Sequence, residues 1–103
     1  MCGIAGILCG KNNVTSETLL RNMAKALHHR GPDASAIWHD PKAGIGFAHA
    51  RLSILDLSKA GSQPMHSPSQ RFVMSFNGEI YNHNDLRNEM KHVSWKGHSD
   101  TET

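Results

Sequence analysis

The sequence predicts an α+β fold made of antiparallel strands and two helices. Two pairs of strand-like segments are each joined by turn residues, which is the pattern of a β-hairpin. A longer segment near the N-terminus instead carries apolar residues at helical spacing. The chain has 103 residues, of which 38% are hydrophobic and 19% charged. This length and composition suit one soluble globular domain or a part of one.

A strand and a helix are predicted in the first third of the chain. Residues Cys2–Cys9 combine glycine with aliphatic and β-branched side chains, which predicts a buried strand. The following segment has apolar residues at helical spacing, so a helix is expected from a cap at Thr15 or Ser16 to about His29. A Gly-Pro pair at 31–32 ends this helix.

A hairpin and a long loop are predicted next. Ser35–His39 and Ile45–Arg51 have strand character and are separated by the turn residues at 41–44. From 52 to 70 the chain is rich in Ser, Gly and Pro, which predicts a loop. A long ordered loop in a compact domain is often functional.

A second hairpin is predicted around Asn77-Gly78. Strands are expected at 71–76 and 79–81, because Asn-Gly between such segments is the strongest short hairpin signal.

The last quarter of the chain predicts a short helix at 84–91, a further strand at 92–95 and a helix start. Ser99 and Glu102 have the S-x-x-E spacing of a capping box. Since only one residue follows this helix start, we expect residues 1–103 to be the N-terminal part of a larger domain.

Composition excludes several classes of function. Eleven Lys and Arg against nine Asp and Glu give a net charge of +2, with no basic run for nucleic acid. No stretch approaches the roughly 18 apolar residues of a membrane span, and no basic leader precedes the N-terminal apolar run. The two cysteines, Cys2 and Cys9, do not suggest a disulfide framework, so a cytoplasmic location is expected.

Cys2 is the first candidate for chemistry. Removal of the initiator methionine would leave a thiol and a free α-amine on the same residue. Their reference pKa values are roughly 8.5 and 7.7–8.0, so the amine is matched to act as base for the thiol. A free cysteine in an N-terminal strand is also an ordinary small buried side chain. Position alone leaves both interpretations open.

Three further features have both a functional and a structural interpretation. Asn77-Gly78 is either a type I′ turn or a pair of oxyanion donors, the Asn side chain and the Gly N–H. Arg51 is either a solvated strand-end residue or a planar fork for a carboxylate. Asp100 either stabilises a helix start or accepts a substrate ammonium.

The remaining motifs do not indicate a further catalytic or binding site. In HHRGPD, a structural Arg30–Asp33 pair is preferred to a catalytic role. No H-E-x-x-H, C-x-x-C…H, G-x-G-x-x-G or Walker A pattern occurs, so no metal and no cofactor is expected in these residues. Together, the candidate groups would suit a free α-amino acid that carries a side-chain carbonyl.

Five segments resemble the class II glutamine amidotransferases, and among them the glutamine-hydrolysing asparagine synthetases. These segments follow the order of that family over the whole chain: MCGIAGIL, HHRGPD, HARLSILDLS…GSQPM, FNGEIYNHNDLR and HSDTE. The resemblance implies an N-terminal-nucleophile hydrolase fold, an αββα sandwich of two antiparallel sheets that residues 1–103 complete only in part. It makes 1–103 the N-terminal part of a glutaminase domain, followed by a synthetase domain.

The resemblance also implies roles for individual residues. Cys2 is the nucleophile and its own amine the acid and base, while Asn77 and Gly78 hold the oxyanion. The glutamine-binding residues are implied to be Arg51 for the α-carboxylate, Asp100 and Glu79 for the α-ammonium, and Leu52, Ile54 and Leu55 for the pocket wall.

The implied reaction is hydrolysis of L-glutamine, with ammonia passed to the synthetase domain. That domain would use ATP and Mg²⁺ to amidate aspartate or a related carboxylate, and a homodimer is compatible with the family. While Met1 is retained, the nitrogen of Cys2 is an amide and the base is absent. The alternatives are hydrolysis of a different amide by the same N-terminal chemistry, or a non-catalytic interaction module.

Overall fold

A three-stranded antiparallel sheet is the centre of the fold. A computed structural model of the chain describes residues 1–10, 16–54 and 56–103. The sheet has the order β1-β3-β2, so the last strand in sequence is the central one. Its strands are β1 (Gly3–Leu8), β2 (Ala34–Asp40) and β3 (Ile45–Arg51).

The β2–β3 hairpin is confirmed, and its turn is built by two residues. The Asp40 carboxylate accepts the N–H groups of Lys42 and Ala43 at 2.9 and 3.1 Å. Gly44 then takes a φ of +68°, which lets the chain reverse without the steric cost that a side chain would add. The hairpin brings Arg51, at the end of β3, opposite Ala34.

Helix α1 (Glu17–Ala26) covers one face of this sheet. Ser16 caps it by accepting the Leu19 N–H at 3.3 Å, while the alternative cap, Thr15, lies outside the described residues. Leu20 and Ala24 are buried against Ala48 of β3. Burial of one leucine side chain stabilises a fold by about 1.5–3 kcal/mol. The partly buried residues around this core are Ala5, Ile7, Met23 and Ile37.

The helix is shorter than predicted. It ends at Ala26, and a 3₁₀ turn follows at His28–Arg30. The Leu27 N–H is shared between the carbonyls of Met23 and Ala24, both at 3.2 Å. This sharing marks the tightening from α to 3₁₀ geometry that is common where a helix ends.

The strand predicted at Cys2–Cys9 forms as β1, but the prediction that this strand is buried is wrong. Its residues alternate between more and less buried positions, and Ile4 and Leu8 are 40% and 79% exposed. The reason is that β1 is an edge strand with α1 on only one of its faces.

A second, two-stranded antiparallel sheet joins a short strand of the predicted long loop to the strand predicted after that loop. Strand β4 (Met65–His66) pairs with β5 (Val73–Met74), so the strand predicted at 71–76 is shorter and its partner lies upstream. The stretch from 52 to 70 also contains a 3₁₀ turn at Lys59–Gly61. The hydrogen bond from the Ser67 N–H to the Phe72 carbonyl closes the β4–β5 connection.

The predicted hairpin at Asn77-Gly78 does not form. Residues 79–81 belong to no strand, and among the described glycines only Gly44 has a positive φ. A type I′ turn needs a positive φ at both central residues. The Ile80 N–H instead donates to the Asp100 carboxylate at 2.8 Å. A tertiary hydrogen bond has therefore replaced the local one.

The C-terminal part is fastened by Arg87. Helix α2 (His83–Glu89) replaces the predicted helix at 84–91, and a 3₁₀ turn occupies Asp100–Glu102. No strand forms at 92–95. Arg87 lies over the Trp95 ring, 4.4 Å from its centroid, and donates to the carbonyls of Gly97 and Ser99.

The capping box at Ser99 is only half formed. Ser99 Oγ accepts the Glu102 N–H at 3.3 Å, but the Glu102 carboxylate accepts the N–H groups of Lys96 and Gly97. The observed elements confirm a small α+β domain with two antiparallel sheets. Within the described ranges, no helix is both long and apolar enough to span a membrane.

Candidate active site

A cleft of about 100 Å³ lies where β1 begins and β3 ends. Four stretches that are far apart in sequence form its walls: the N-terminus, the chain after β3, the segment around Asn77, and the 3₁₀ turn at Asp100–Glu102. Leu55 lies outside the described residues. The other predicted site residues all line this cleft: Cys2, Arg51, Leu52, Ile54, Asn77, Gly78, Glu79 and Asp100.

Cys2 is placed by strand pairing and by the backbone of Leu52. Gly3 pairs with Ala50, so Cys2 stands beside the point where β3 ends. Its Sγ accepts the Leu52 N–H at 3.3 Å and lies 3.6 Å from the Leu52 carbonyl, to which the thiol donates. The half-buried thiol is thus held at the cleft wall rather than in the core under α1.

Arg51 is buried, with 8% of its surface exposed, and it is not the solvated strand-end residue of the structural interpretation. Its guanidinium donates to the Ser58 carbonyl at 2.9 Å and to the Asp56 carbonyl. A guanidinium has five N–H donors, so these two bonds brace the fork and leave donors for a ligand.

Asp56 organises the wall behind Arg51. Its carboxylate accepts the Ser58 N–H at 2.7 Å and the His98 N–H at 2.8 Å. Hydrogen bonds from the Ser58 hydroxyl, the His98 N–H and the Ser58 N–H, with the nearby Arg51 charge, lower the pKa of Asp56 to about 2. The residue therefore stays ionised and joins the loop after β3 to the chain before Asp100.

Asn77, Gly78 and Glu79 form an exposed segment that is tethered at both ends. The Phe76 N–H donates to Gln63 Oε1 at 2.6 Å, and the Ile80 N–H donates to Asp100 Oδ2 at 2.8 Å. Among the described residues, neither the Gly78 N–H nor the Asn77 side chain has a hydrogen-bond partner. Two donors are therefore present beside the cleft.

Asp100 is 6% exposed, and one of its carboxylate oxygens is used by the Ile80 N–H. A carboxylate has about four acceptor sites, so a second donor such as an ammonium can still be bound. Asp100 therefore has a structural role in addition to the ligand-binding role predicted for it.

His49 lies fully buried on β3, two residues before Arg51. Its Nδ1 lies 2.9 Å from Ser75 Oγ, and its Nε2 has no hydrogen-bond partner among the described residues. Burial and, to a lesser extent, the Arg51 charge lower the pKa of His49 below its ordinary 6.5, which favours the neutral ring at pH 7.

The predicted Arg30–Asp33 pair is wrong. Asp33 Oδ2 instead accepts the Ser53 N–H at 2.7 Å, and the described residues contain no salt bridge between Arg30 and Asp33. Asp33 thus holds the chain directly after Leu52.

Sequence reasoning missed two residues of the site, Asp56 and Gln63. Both are polar residues in a loop rich in Ser and Gly, where such side chains are usually solvated. For Asp56, the Ser two positions later was an available signal, because Asp side chains commonly bind the backbone two residues on. For Gln63, whose partners are distant in sequence, we find no local signal.

Comparison with known proteins places these residues in a family. A family model described as a glutamine amidotransferase domain matches residues 1–103. Among the curated relatives, asparagine synthetase [glutamine-hydrolyzing] 1 of Bacillus subtilis is 35% identical, and the match covers 100% of this chain and 16% of the relative. The second such enzyme of that species is 39% identical, with 99% and 14% covered.

A plant asparagine synthetase also matches nearly the whole chain. Asparagine synthetase [glutamine-hydrolyzing] 1 of Arabidopsis thaliana is 34% identical over 99% of this chain and 17% of its own length. The chain thus spans less than a fifth of these much longer relatives. By the match over its whole length, the chain belongs to the glutamine amidotransferase domain family.

Proposed function

We propose that this domain hydrolyses L-glutamine to glutamate and ammonia, with Cys2 as the nucleophile. The observation that carries the proposal is that Cys2, Arg51, Asn77, Gly78 and Asp100 line one cleft. These groups match the parts of glutamine: a carboxamide to be attacked, an α-carboxylate and an α-ammonium. The names of the relatives, which specify glutamine hydrolysis, support the same reaction.

The substrate is oriented by the two charged groups on its α-carbon. The Arg51 fork binds the α-carboxylate bidentately, and Asp100 with Glu79 accepts the α-ammonium. Leu52 and Ile54, which line the cleft, form the apolar wall along the substrate stem. The Cys2 thiol is held at the Leu52 backbone in the same cleft, and the carboxamide of the bound substrate is placed next to it.

The chemistry needs a free α-amine on Cys2. Met1 is 70% exposed, which leaves the Met1–Cys2 bond accessible to an aminopeptidase. Once Met1 is removed, the α-amine takes the thiol proton, and the thiolate attacks the carboxamide carbon. A C–S bond forms and the oxyanion is held by the Asn77 side chain and the Gly78 N–H.

The intermediate then collapses in two steps. The protonated amine gives its proton to the leaving nitrogen, the C–N bond breaks, and ammonia departs from a Cys2 thioester. Water, deprotonated by the same amine, attacks the thioester and releases glutamate and the free thiol. One glutamine and one water thus give one glutamate and one ammonia.

Two wider statements belong to the proposal. The fold is an N-terminal-nucleophile hydrolase sandwich, which the two antiparallel sheets support. The full-length protein passes its ammonia to a synthetase domain that amidates aspartate or a related carboxylate with ATP and Mg²⁺. The length of the relatives supports this second statement, and no residue of 1–103 is given a role in it.

The test combines a glutaminase assay with mass spectrometry of the N-terminus of the full-length protein. We expect the active protein to begin at Cys2, and Cys2→Ala to lower glutamate release by at least about 10³-fold. Cys9→Ala is the matched control and should keep wild-type activity, since the half-buried Cys9 lies outside the cleft. Unchanged glutamate release in Cys2→Ala would refute the proposal.

A panel of amides separates the alternatives. Preference for glutamine over amides that lack the α-carboxylate supports the role of Arg51, and preference over amides that lack the α-ammonium supports the role of Asp100. Equal turnover of such amides would indicate a different N-terminal-nucleophile hydrolase, and no turnover of any amide would indicate a binding module.

A further inference from the structure

The segment that carries Asn77 and Gly78 lies outside both sheets, so its backbone must find hydrogen-bond partners elsewhere. Strand β5 ends at Met74, and no regular element begins again before α2. The Phe76 N–H, directly before Asn77, is taken by the Gln63 side chain at 2.6 Å. This bond joins residues that are 13 positions apart in sequence.

Both polar atoms of the Gln63 side-chain amide form hydrogen bonds within the structure. The side chain is 8% exposed, and its Nε2 donates to Thr101 Oγ1 at 3.3 Å. Because a backbone N–H can only donate, the amide oxygen must face Phe76, and the amide nitrogen must then face Thr101. One amide therefore joins the Asn77 segment to the residue that follows Asp100.

We propose that Gln63 is the positioning residue of the oxyanion-binding segment. The inference rests on the proposed glutaminase function. Gln63 holds the Phe76 N–H, and a single peptide unit separates this anchor from Asn77. With the bond from Ile80 to Asp100 at the other end, the backbone of Asn77–Glu79 is fixed between two anchors. The oxyanion donors are thus in place before substrate binds, which is what such stabilisation requires.

Gln63→Met tests this role, because methionine has a similar length and can accept no comparable hydrogen bond. We expect kcat for glutamine hydrolysis to fall about 10–100-fold with KM changed less than about threefold, since oxyanion stabilisation acts in the transition state. The matched control is Gln70→Met, the same exchange at an exposed position, which should leave both constants unchanged.

A second readout separates positioning from general loss of structure. Alkylation of Cys2 by iodoacetamide needs the thiolate but no oxyanion donor, so Gln63→Met should alkylate at the wild-type rate. Fragment ions in mass spectrometry assign the alkylated thiol to Cys2, because Cys9 is also free and no Lys or Arg lies between the two cysteines. An alkylation rate that falls in parallel with kcat would overturn the proposal, as would a folded Gln63→Met protein with wild-type kcat.

Thr101→Val divides the contributions of the two ends of the amide. It removes the acceptor for Gln63 Nε2 but leaves the bond to Phe76, so its kcat should stay at least about fivefold above that of Gln63→Met. Equal loss in both variants would overturn the assignment to Phe76.

Amide hydrogen exchange in the wild-type protein gives an answer even where Gln63→Met does not fold. The Phe76 amide should exchange slowly, as the β3 amides do, and fast exchange would refute the inference. Failure of the underlying function is distinguishable, because it would appear as unchanged glutamate release in Cys2→Ala.

Discussion

Cys2 owes its position to the backbone rather than to another side chain. The sheet register sets Gly3 opposite Ala50, and the thiol reaches the Leu52 N–H and carbonyl. Among the described residues, no histidine forms a hydrogen bond with its Sγ. This arrangement fits a nucleophile whose base is its own amine, because such a base needs no separate positioning.

Asn77 offers the sharpest test at the scale of a single residue. Its side chain is exposed beside the cleft, so Asn77→Ala should remove one oxyanion donor without disturbing the core. We expect kcat for glutamine hydrolysis to fall about 10²–10³-fold, with the free energy of unfolding changed by less than about 0.5 kcal/mol. Steady-state kinetics and urea unfolding measure the two quantities.

The exposed Asn84 provides the control for this experiment. Asn84→Ala is the same exchange in helix α2, away from the cleft, and should keep kcat. A wild-type kcat in Asn77→Ala would remove that residue from the mechanism.

At the scale of elements, helix α1 lies close to the sheet because β3 presents small residues to it. Gly46, Ala48 and Ala50 are all buried, and Leu20 packs over this surface. A Cβ placed on Gly46 would lie 2.6 Å from Leu20 Cδ1. The strand can therefore carry no larger side chain there without moving the helix or its leucine.

Gly46→Ala should accordingly destabilise the fold by overpacking. We expect the free energy of unfolding to fall by about 1–3 kcal/mol, because the added methyl group meets a buried side chain. Gly10→Ala is the control, since no atom of the described residues lies within 4 Å of a Cβ at that position. Thermal or urea unfolding of both variants gives the comparison, and equal stability would contradict the packing argument.

At the scale of the whole molecule, buried polar side chains gather around the cleft and not under the helix. The described residues include four buried hydrophobic side chains and seven buried polar or charged ones. The apolar group is centred on Leu20, whereas the polar group includes Arg51, Asp56, Gln63 and Asp100. Hydrogen bonds among separated segments therefore carry a large share of the order at the site.

This distribution makes the stability of the fold sensitive to acid. Burial and the Arg51 charge lower the pKa of His49 below its ordinary 6.5, so the unfolded chain takes up a proton before the folded one does. The contribution of neutral His49 to the free energy of unfolding is complete above about pH 6.5. It is lost as the pH falls below this value, with a slope of at most about 1.4 kcal/mol per pH unit. The lowered pKa of Asp56 adds a separate loss between its ordinary 3.8 and about 2.

His49→Gln should reduce the pH dependence of the free energy of unfolding in the upper of these two pH ranges. Glutamine does not titrate, so the free energy of unfolding between pH 7 and 4 should depend less on pH than in the wild type. Urea unfolding at a series of pH values measures this slope, and His92→Gln, the same exchange at an exposed position, is the matched control. An unaltered slope in His49→Gln would show that another group causes the acid sensitivity.

Local pattern in the sequence was sufficient to predict the β2–β3 hairpin, helix α1 with a cap at Thr15 or Ser16, and the candidate chemical groups of the site. Alternating and helical periodicities depend on neighbours within a few positions, which any sequence displays. The same reasoning made Cys2, Arg51, Asn77 and Asp100 candidates, because thiol, guanidinium, amide and carboxylate groups have recognisable chemistry, while their roles were implied by the family resemblance.

The irregular segments are held by hydrogen bonds between residues that are distant in sequence, and these bonds are visible only in the folded chain. The Asn77-Gly78 stretch forms no hairpin, since Phe76 and Ile80 bond to Gln63 and Asp100 instead of to a facing strand. Asp56 reaches His98 across 42 positions of sequence. Backbone groups outside helices and sheets must still be paired when they leave water. Their partners are set by the three-dimensional approach of distant segments, which no local pattern records.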